Sequence, residues 1–283
     1  MTKNDFAVIV PAFNEAEVIP DLVRELREAF ERFGLDGEVI LVDDGSSDDT
    51  AAIAERESAG WDAFKVVKHN KNLGKTEAMI TGADATEKTA LVIFDADLQH
   101  TPSEIPRFLE KLSEGWDIVT GRKVGAYDKR GVSSVYNRLS RKIFDVPVSD
   151  LNSMKAFRRE VLDGLTLRHD WHRFFVVLAH SRGATVTEID IELHDRRAGE
   201  SKFQGPFRIL VGVMDLMSVG FLLLFSRKPL LFFGASGILM AGLGVFVAAI
   251  AVYLRFVHPM AGFDPYIPPM GYRPLLYLVM LLE

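Results

Sequence analysis

The chain contains no cysteine. That excludes disulfides, thiolate-bound zinc and thiol nucleophiles in one step, and it is compatible with a catalytic part in the cytosol. It also lacks an excess of basic charge. Lys and Arg number 33 against 39 Asp and Glu, a formal net charge of −6, so the broad positive field of a nucleic-acid-binding protein is missing and no nucleic-acid partner is expected. The first residues, Met1-Thr2-Lys3-Asn4-Asp5, run directly into a strand-like segment without the basic-then-apolar order of a signal peptide. The polar part is therefore expected to face the cytoplasm.

What is present is unevenly spread. Of 283 residues, 48% are hydrophobic and 25% charged, a globular balance, but the apolar residues gather after residue 203. Pro229 to Leu254 carries no charge at all, enough to cross a hydrocarbon layer of about 30 Å as a helix. Arg227-Lys228 just before it marks a cytoplasmic end. Residues 207–225 read as one or two helices on the membrane surface, or as an ordinary buried helix. Residues 255–273 read as a short external loop. Residues 274–282 are apolar but too short to span, and are expected to begin a second, truncated transmembrane helix or to lie at the interface. The organisation expected is a cytosolic catalytic domain (1–202), juxtamembrane interfacial helices (203–228) and a transmembrane region (229–283), in an integral protein of the cell membrane.

The polar part alternates strand and helix. Phe6 to Val10, Glu38 to Val42, Phe64 to Val67, Ala90 to Phe94 and Trp116 to Thr120 are short runs rich in β-branched and aromatic residues. Between them, Val18, Leu22, Leu26, Ala29 and Phe33 fall at helical spacing until Gly34, and further helices are expected at 50–58, 74–85 and 105–112. This is an α/β pattern: a Rossmann-like, mostly parallel sheet with helices on both faces. In such sheets ligands bind beyond the carboxyl ends of the strands. The polar clusters sit at those ends: Asn14-Glu15, Asp43-Asp44, Asp95-Ala96-Asp97 and Gly121-Arg122.

Each cluster has a chemical reading beside a structural one. Asp95 and Asp97 are two apart after a buried strand, so they can share a hard cation, Mg²⁺ or Mn²⁺, that bridges substrate phosphates, with Gln99 adding a neutral oxygen. Asp44 can accept from a nucleobase or a ribose, while Asp44, Ser46 or Ser47 could equally cap the helix at Thr50. Phe13 can stack on a base and Glu15 can hold a ribose, while Asn14 and Glu17 have capping-box spacing. Residues 122–142 hold seven Lys and Arg against Asp128 alone, which suits a phosphate-bearing substrate, anionic headgroups or a solvated face. The loop from His194 to Lys202 is charged and contains Gly199, as closing lids do. His169, His172 and His180 read as structural.

The segments VIVPAFNE (8–15), VILVDDGSSDDT (39–50), NLGKTEAM (72–79), IFDADLQHTPSEIP (93–106), DIVTGR (117–122) and RRAGESKF (196–203) together resemble the family-2 glycosyltransferases of type-A fold. The match is nearest to dolichyl-phosphate mannose synthases and polyprenyl-phosphate glucosyltransferases, and covers about residues 6–228. The resemblance implies inverting transfer of a hexose from a nucleotide-sugar, of GDP-mannose or UDP-glucose type, to a dolichyl or undecaprenyl phosphate. It implies that Pro11, Phe13, Glu15, Val42 and Asp44 cradle the nucleotide. Asp95, Ala96, Asp97 and Gln99 would hold metal and diphosphate. Arg122 would bridge donor and acceptor phosphates, Arg130 and Ser133 would grip the lipid phosphate, and Arg196 and Lys202 would close over the donor. Position 13 is Phe where such synthases usually carry Tyr, and the Gln-x-x-Arg-Trp motif of processive relatives is missing. An anionic acceptor needs no strong general base, so positioning and charge neutralisation would carry catalysis. The alternatives are a glycan or protein acceptor, or a non-catalytic nucleotide-sugar-binding scaffold. A homo-oligomer is also expected, because one or two helices anchor a domain weakly.

Overall fold

Apolar runs become strands and amphipathic runs become helices in the computed structural model, which describes residues 5–124, 147–148, 150–151, 153–165, 167, 171–194, 214, 217–218, 220–221 and 229–253. The first strands are β1 (Phe6–Ala12), β2 (Glu38–Asp43), β3 (Phe64–Lys68) and β4 (Ala90–Ile93). They alternate with α1 (Ile19–Phe33), α2 (Thr50–Glu57) and α3 (Lys75–Asp84). Then come α4 (Ile105–Ser113), β5 (Ile118–Val124), β6 (Lys155–Arg158), α5 (Phe175–Ser181) and β7 (Val186–Glu192). Among the described residues they form one sheet in the order β3-β2-β1-β4-β6-β5-β7. Pairing is parallel except where β6 runs against β4 and β5. The chain builds outward from β1 to β3, then returns to the other side of β1 with β4. That reversal makes a crevice at the carboxyl ends of β1, β2 and β4.

The core explains why these segments pair. Val8, Val10, Leu41, Val92 and Val119 lie in one apolar cluster with Leu22, Leu26 and Phe30 of α1 and Phe108 and Leu112 of α4. Helix α1 ends where expected: Gly34 takes φ +58° and ψ +45°, a left-handed cap that costs a glycine little. Its start differs from the capping-box expectation. The helix begins at Ile19, Val18 occupies the cap position, and no side chain caps it. Pro20 in the first turn suits a start of that kind. Asn14 instead adopts φ +52° and serves the neighbouring loop.

Strand β5 runs longer than its apolar residues suggest. It continues to Val124 because β7 pairs with it from Ile118↔Val186 to Val124↔Glu192, so Gly121 and Arg122 lie inside a strand rather than after one. Strands β6 and β7 arise from segments that the alternation pattern did not cover.

The chain divides into two compact units, Met1–Met217 and Ser218–Glu283. In the second, α6 (Pro229–Val252) has 24 residues, about 36 Å at 1.5 Å per residue. Its Phe233–Val252 stretch has mean hydropathy 2.3, and Ile238 and Leu239 are about three-quarters exposed. It is apolar on every side and long enough to cross a bilayer.

Candidate active site

Two loops at the carboxyl ends of β1 and β2 are tied together by hydrogen bonds. The Asn14 amide donates to Ser46 Oγ (2.9 Å), and Asn14 Oδ1 accepts from the Ser47 amide (2.8 Å). The Glu15 amide donates to Thr50 Oγ1 (2.9 Å) and the Ala16 amide to Asp48 Oδ2 (3.2 Å). Asp48 Oδ1 also accepts from the Thr50 amide (3.1 Å). The α2 start is thus served by Asp48, not by Asp44, Ser46 or Ser47. Phe13, Glu15 and Pro11 are half-buried here. Val42 and Ala96 are buried, and Val42 packs against Ala78, so both would meet a ligand through the main chain.

Asp44 is a latch. Only 4% exposed, it accepts from the amides of Leu73 (2.8 Å) and Gly74 (2.8 Å) at the head of α3. His69 Nδ1 lies 2.8 Å from its Oδ1, and His69 Nε2 lies 2.9 Å from Thr81 Oγ1 inside α3. A carboxylate at a helix N-terminus satisfies orphan amides and complements the dipole. Gly45 next to it has φ +70°, and a Cβ there would sit 2.3 Å from the Lys71 carbonyl carbon. The latch therefore fixes α3 against β2 and delivers Lys75, the first residue of α3, to the site.

Lys75 Nζ pairs with Asp95 Oδ1. The Asp95 side chain is 35% exposed, whereas Asp97 is 8% exposed and its Oδ1 accepts from the Gln99 amide (3.2 Å). Between them and Gln99, Leu98 holds φ +52°, a costly conformation for a bulky residue. It is held by its burial and by the Gln99 carbonyl, which accepts from the His194 amide at 2.9 Å. Burial pushes the Asp95 carboxyl up, but the Lys75 charge and hydrogen bond outweigh that, and His100 and Lys155 add to the effect. Together they hold it well below the usual carboxylate range. No group of three or more His, Asp or Glu poised to cage an ion occurs among the described residues. Two hard carboxylates fit Mg²⁺ or Mn²⁺, which complete their shell with phosphate and water oxygens.

The sequence pattern missed a set of buried basic groups behind this pair. Lys155 opens β6, cross-paired with Ile93 of β4 and Thr120 of β5. It is 5% exposed, and its Nζ donates to the Leu151 carbonyl at 3.3 Å. Burial, then the Lys75 charge, lowers its pKa to about 8. His100 is 4% exposed, and burial pushes it down to about 4, so its ring is neutral at pH 7. Lys123 meets Asp150 at 3.4 Å. A period-two reading could have flagged Lys155 as a charge among apolar neighbours in Met154-Lys155-Ala156-Phe157.

Arg122 stands apart from this set. It is half-exposed on β5 and forks onto Asp190 of β7, Nε to Oδ1 at 2.5 Å and Nη2 to Oδ2 at 2.9 Å. The hydrogen bonds and charge of the pair raise Arg122 and lower Asp190 from their ordinary values. Arg130, Ser133, Arg196 and Lys202 lie outside the described residues, as does His169. His172 and His180 make structural contacts, the first with Thr76 and the second with the Ala184 carbonyl.

Comparison with known proteins gives the family and the fold. The family model for glycosyl transferase family 2 matches residues 7–179. The undecaprenyl-phosphate 4-deoxy-4-formamido-L-arabinose transferase of Pseudomonas fluorescens (strain Pf0-1) is 31% identical, over 88% of this chain and 73% of the relative. The enzyme of that name from Enterobacter sp. (strain 638) is also 31% identical, over 88% of this chain and 76% of the relative. The chain belongs to glycosyl transferase family 2. Among solved structures it is similar to the glucosyl-3-phosphoglycerate synthase of Mycobacterium tuberculosis, crystallised with Mn²⁺, UDP-glucose and phosphoglyceric acid. That likeness has TM-score 0.62 and 19% identity, and covers 79% of each chain. The fold is the glycosyltransferase type-A fold, as the family resemblance implied, and its mostly parallel sheet is the one that the strand alternation predicted.

Proposed function

We propose that the protein transfers a sugar from a nucleotide-sugar to a polyprenyl phosphate at a membrane, with inversion. The observation that carries the reading is the Asp95–Asp97 pair at the carboxyl end of β4, on the same sheet edge as the β1 and β2 loops and faced by Lys75. The relatives' named acceptor and the apolar α6 support a lipid-borne phosphate and an integral location. In this reading an acceptor phosphate oxygen attacks the anomeric carbon. The bond from that carbon to the β-phosphate oxygen breaks, and nucleoside diphosphate leaves with the electron pair.

The residues divide the work. Pro11, Phe13, Glu15 and Asp44 border the nucleotide, Asp44 acting chiefly by holding α3 in place. Asp95 and Asp97 would hold Mg²⁺ or Mn²⁺, with Gln99 beside them, and the ion would supply charge neutralisation for the departing diphosphate. Arg122 would trade its Asp190 contact for phosphate, with Arg130, Ser133, Arg196 and Lys202 completing the phosphate contacts. The sugar need not be a hexose: the relatives are named for a formamido-arabinose, a five-carbon sugar.

The test is a panel of labelled UDP- and GDP-sugars offered to membranes containing the full chain, with undecaprenyl or dolichyl phosphate and Mn²⁺ or Mg²⁺. Label extracted into organic solvent from one donor, and lost with EDTA, supports the reading and names the sugar. Label found instead on protein, or on a water-soluble glycan separated from the unreacted donor, would replace the lipid acceptor by a protein or glycan. No transfer by folded protein from any donor would point to a non-catalytic scaffold.

A further inference from the structure

Asp95 has basic groups beside it before any ion arrives. Among the described residues, Lys75 and Lys155 both act on its carboxylate, and Lys123 and Asp150 lie near Lys155. Lys75 is paired directly with Asp95 and Lys123 with Asp150. Lys155 is buried in register two residues before Asp95, and the one acceptor it meets among the described residues is the Leu151 carbonyl. A free divalent cation entering here must displace Lys75 from Asp95 and would stand beside two ammonium groups, Lys75 and Lys155, in a partly buried site. Such charges are expensive where water is scarce. A cation that enters with a diphosphate brings its own compensation, and the displaced Lys75 and the buried Lys155 then face an anion.

We propose that metal and donor diphosphate load this site as a unit, and that Lys75 and Lys155 enforce it by repelling the free ion and attracting the complex. This rests on the reading of Asp95 and Asp97 as the metal pair. It makes two lysines, not only the carboxylates, determinants of metal affinity. Removing either is expected to strengthen binding of the free ion, the reverse of what loss of a ligand does.

The experiment measures Mn²⁺ binding by electron paramagnetic resonance to the full chain in detergent, alone and with saturating UDP or GDP. Wild type is expected to bind Mn²⁺ at least about tenfold more tightly with one of the nucleotides, the effect one neighbouring unit charge has on a titrating carboxylate. By reciprocity Mn²⁺ tightens that nucleotide equally. Lys75→Gln and Lys155→Met are each expected to bind Mn²⁺ alone about tenfold more tightly than wild type, with the nucleotide effect reduced. Lys75→Arg keeps the charge and is expected to behave as wild type. Because Lys75 is one-third exposed, its variants test the proposal independently of the buried Lys155. Nucleotide-independent Mn²⁺ binding by wild type, or unchanged free-ion affinity in the folded lysine variants, overturns the proposal and leaves the metal site standing. Binding of neither Mn²⁺ nor nucleotide by folded wild type overturns the site reading itself, and the proposal with it.

Discussion

Removing the Asp44 carboxylate should cost the fold several hydrogen bonds at once. Asp44→Ala leaves the Leu73 and Gly74 amides and the His69 ring without their acceptor, at a position 4% exposed. Each hydrogen bond to a charged acceptor contributes about 1.5–3 kcal/mol, and an orphaned buried donor costs about 1–3 kcal/mol. These contributions are not additive, because the α3 head can move toward water. The expected loss for Asp44→Ala is therefore about 4 kcal/mol. Asp44→Asn keeps one acceptor oxygen but turns an amide donor toward other donors, and is expected to lose about 2–3 kcal/mol. The assay is urea unfolding of the full chain in detergent, monitored by tryptophan emission. All three tryptophans, Trp61, Trp116 and Trp171, precede Ser218, so the signal reports on the Met1–Met217 unit alone. Working without nucleotide separates the latch from any ligand contact. Asp21→Asn, which removes an exposed pair with Arg24, is the control and is expected to change stability by less than about 1 kcal/mol. If Asp44→Ala costs no more than that control, the latch does not hold α3 and the reasoning fails.

The same geometry sets four further outcomes. His100 has a depressed pKa of about 4 in the fold, so its contribution is intact above its ordinary value of about 6.5 and is lost as pH falls from there toward 4. The slope is about 1.4 kcal/mol per pH unit, and His100→Asn should flatten that part of the urea-midpoint profile. Lys155, lowered to about 8, carries its full burial cost below pH 8 and is relieved as pH rises toward about 10.5. Lys155→Met should therefore raise stability at pH 7 by about 1–3 kcal/mol and remove the alkaline rise. Gly45→Ala should destabilise by about 3 kcal/mol or more in the same assay, from left-handed strain and the Cβ contact with Lys71. Asp95→Asn should lower organic-phase product about 100-fold or more, and because it takes the counter-charge from Lys75 and Lys155 it should also lower the tryptophan-detected unfolding midpoint at pH 7.

The sequence was most legible where a periodic pattern and a breaker coincide. Helix α1 shows both: its buried stripe Leu22, Val23, Leu26 and Phe30 is the apolar stripe of the sequence, and Gly34 ends it. The strand-end clusters were legible for a similar reason, because β1, β2 and β4 are buried runs and polar residues after them mark the crevice. Loop chemistry was less so. Asn14, Asp44 and Asp48 are all good caps by type, and which one caps what depends on loops about 30 residues apart in sequence meeting in space. Asp44 therefore looked like a ligand or a local cap, and its role as a long-range latch on α3 was not legible. Arg122 looked like a strand-end residue because β5 loses its apolar character at Thr120. Pairing with β7, which a local pattern cannot see, carries the strand on to Val124.

The antiparallel strand explains the remaining gap. In a parallel sheet every strand delivers its last residues to the ligand edge, so the polar residues just after each apolar run are the ones that betray a site. Strand β6 runs the other way between β4 and β5, and it delivers its first residue there. That residue is Lys155, and the chain before it brings Leu151 and Asp150 to the neighbouring region. A lysine at the start of a short strand resembles any solvated end until the strand's direction is known. Once β6 is known to be reversed, its first position has to lie beside the end of β4, two residues from Asp95 in register, whatever occupies it. An apolar residue there would pack better and would leave Asp95 facing Lys75 alone. The fold accepts a buried ammonium at a cost to its own stability, and that cost is borne at the edge where a diphosphate would sit.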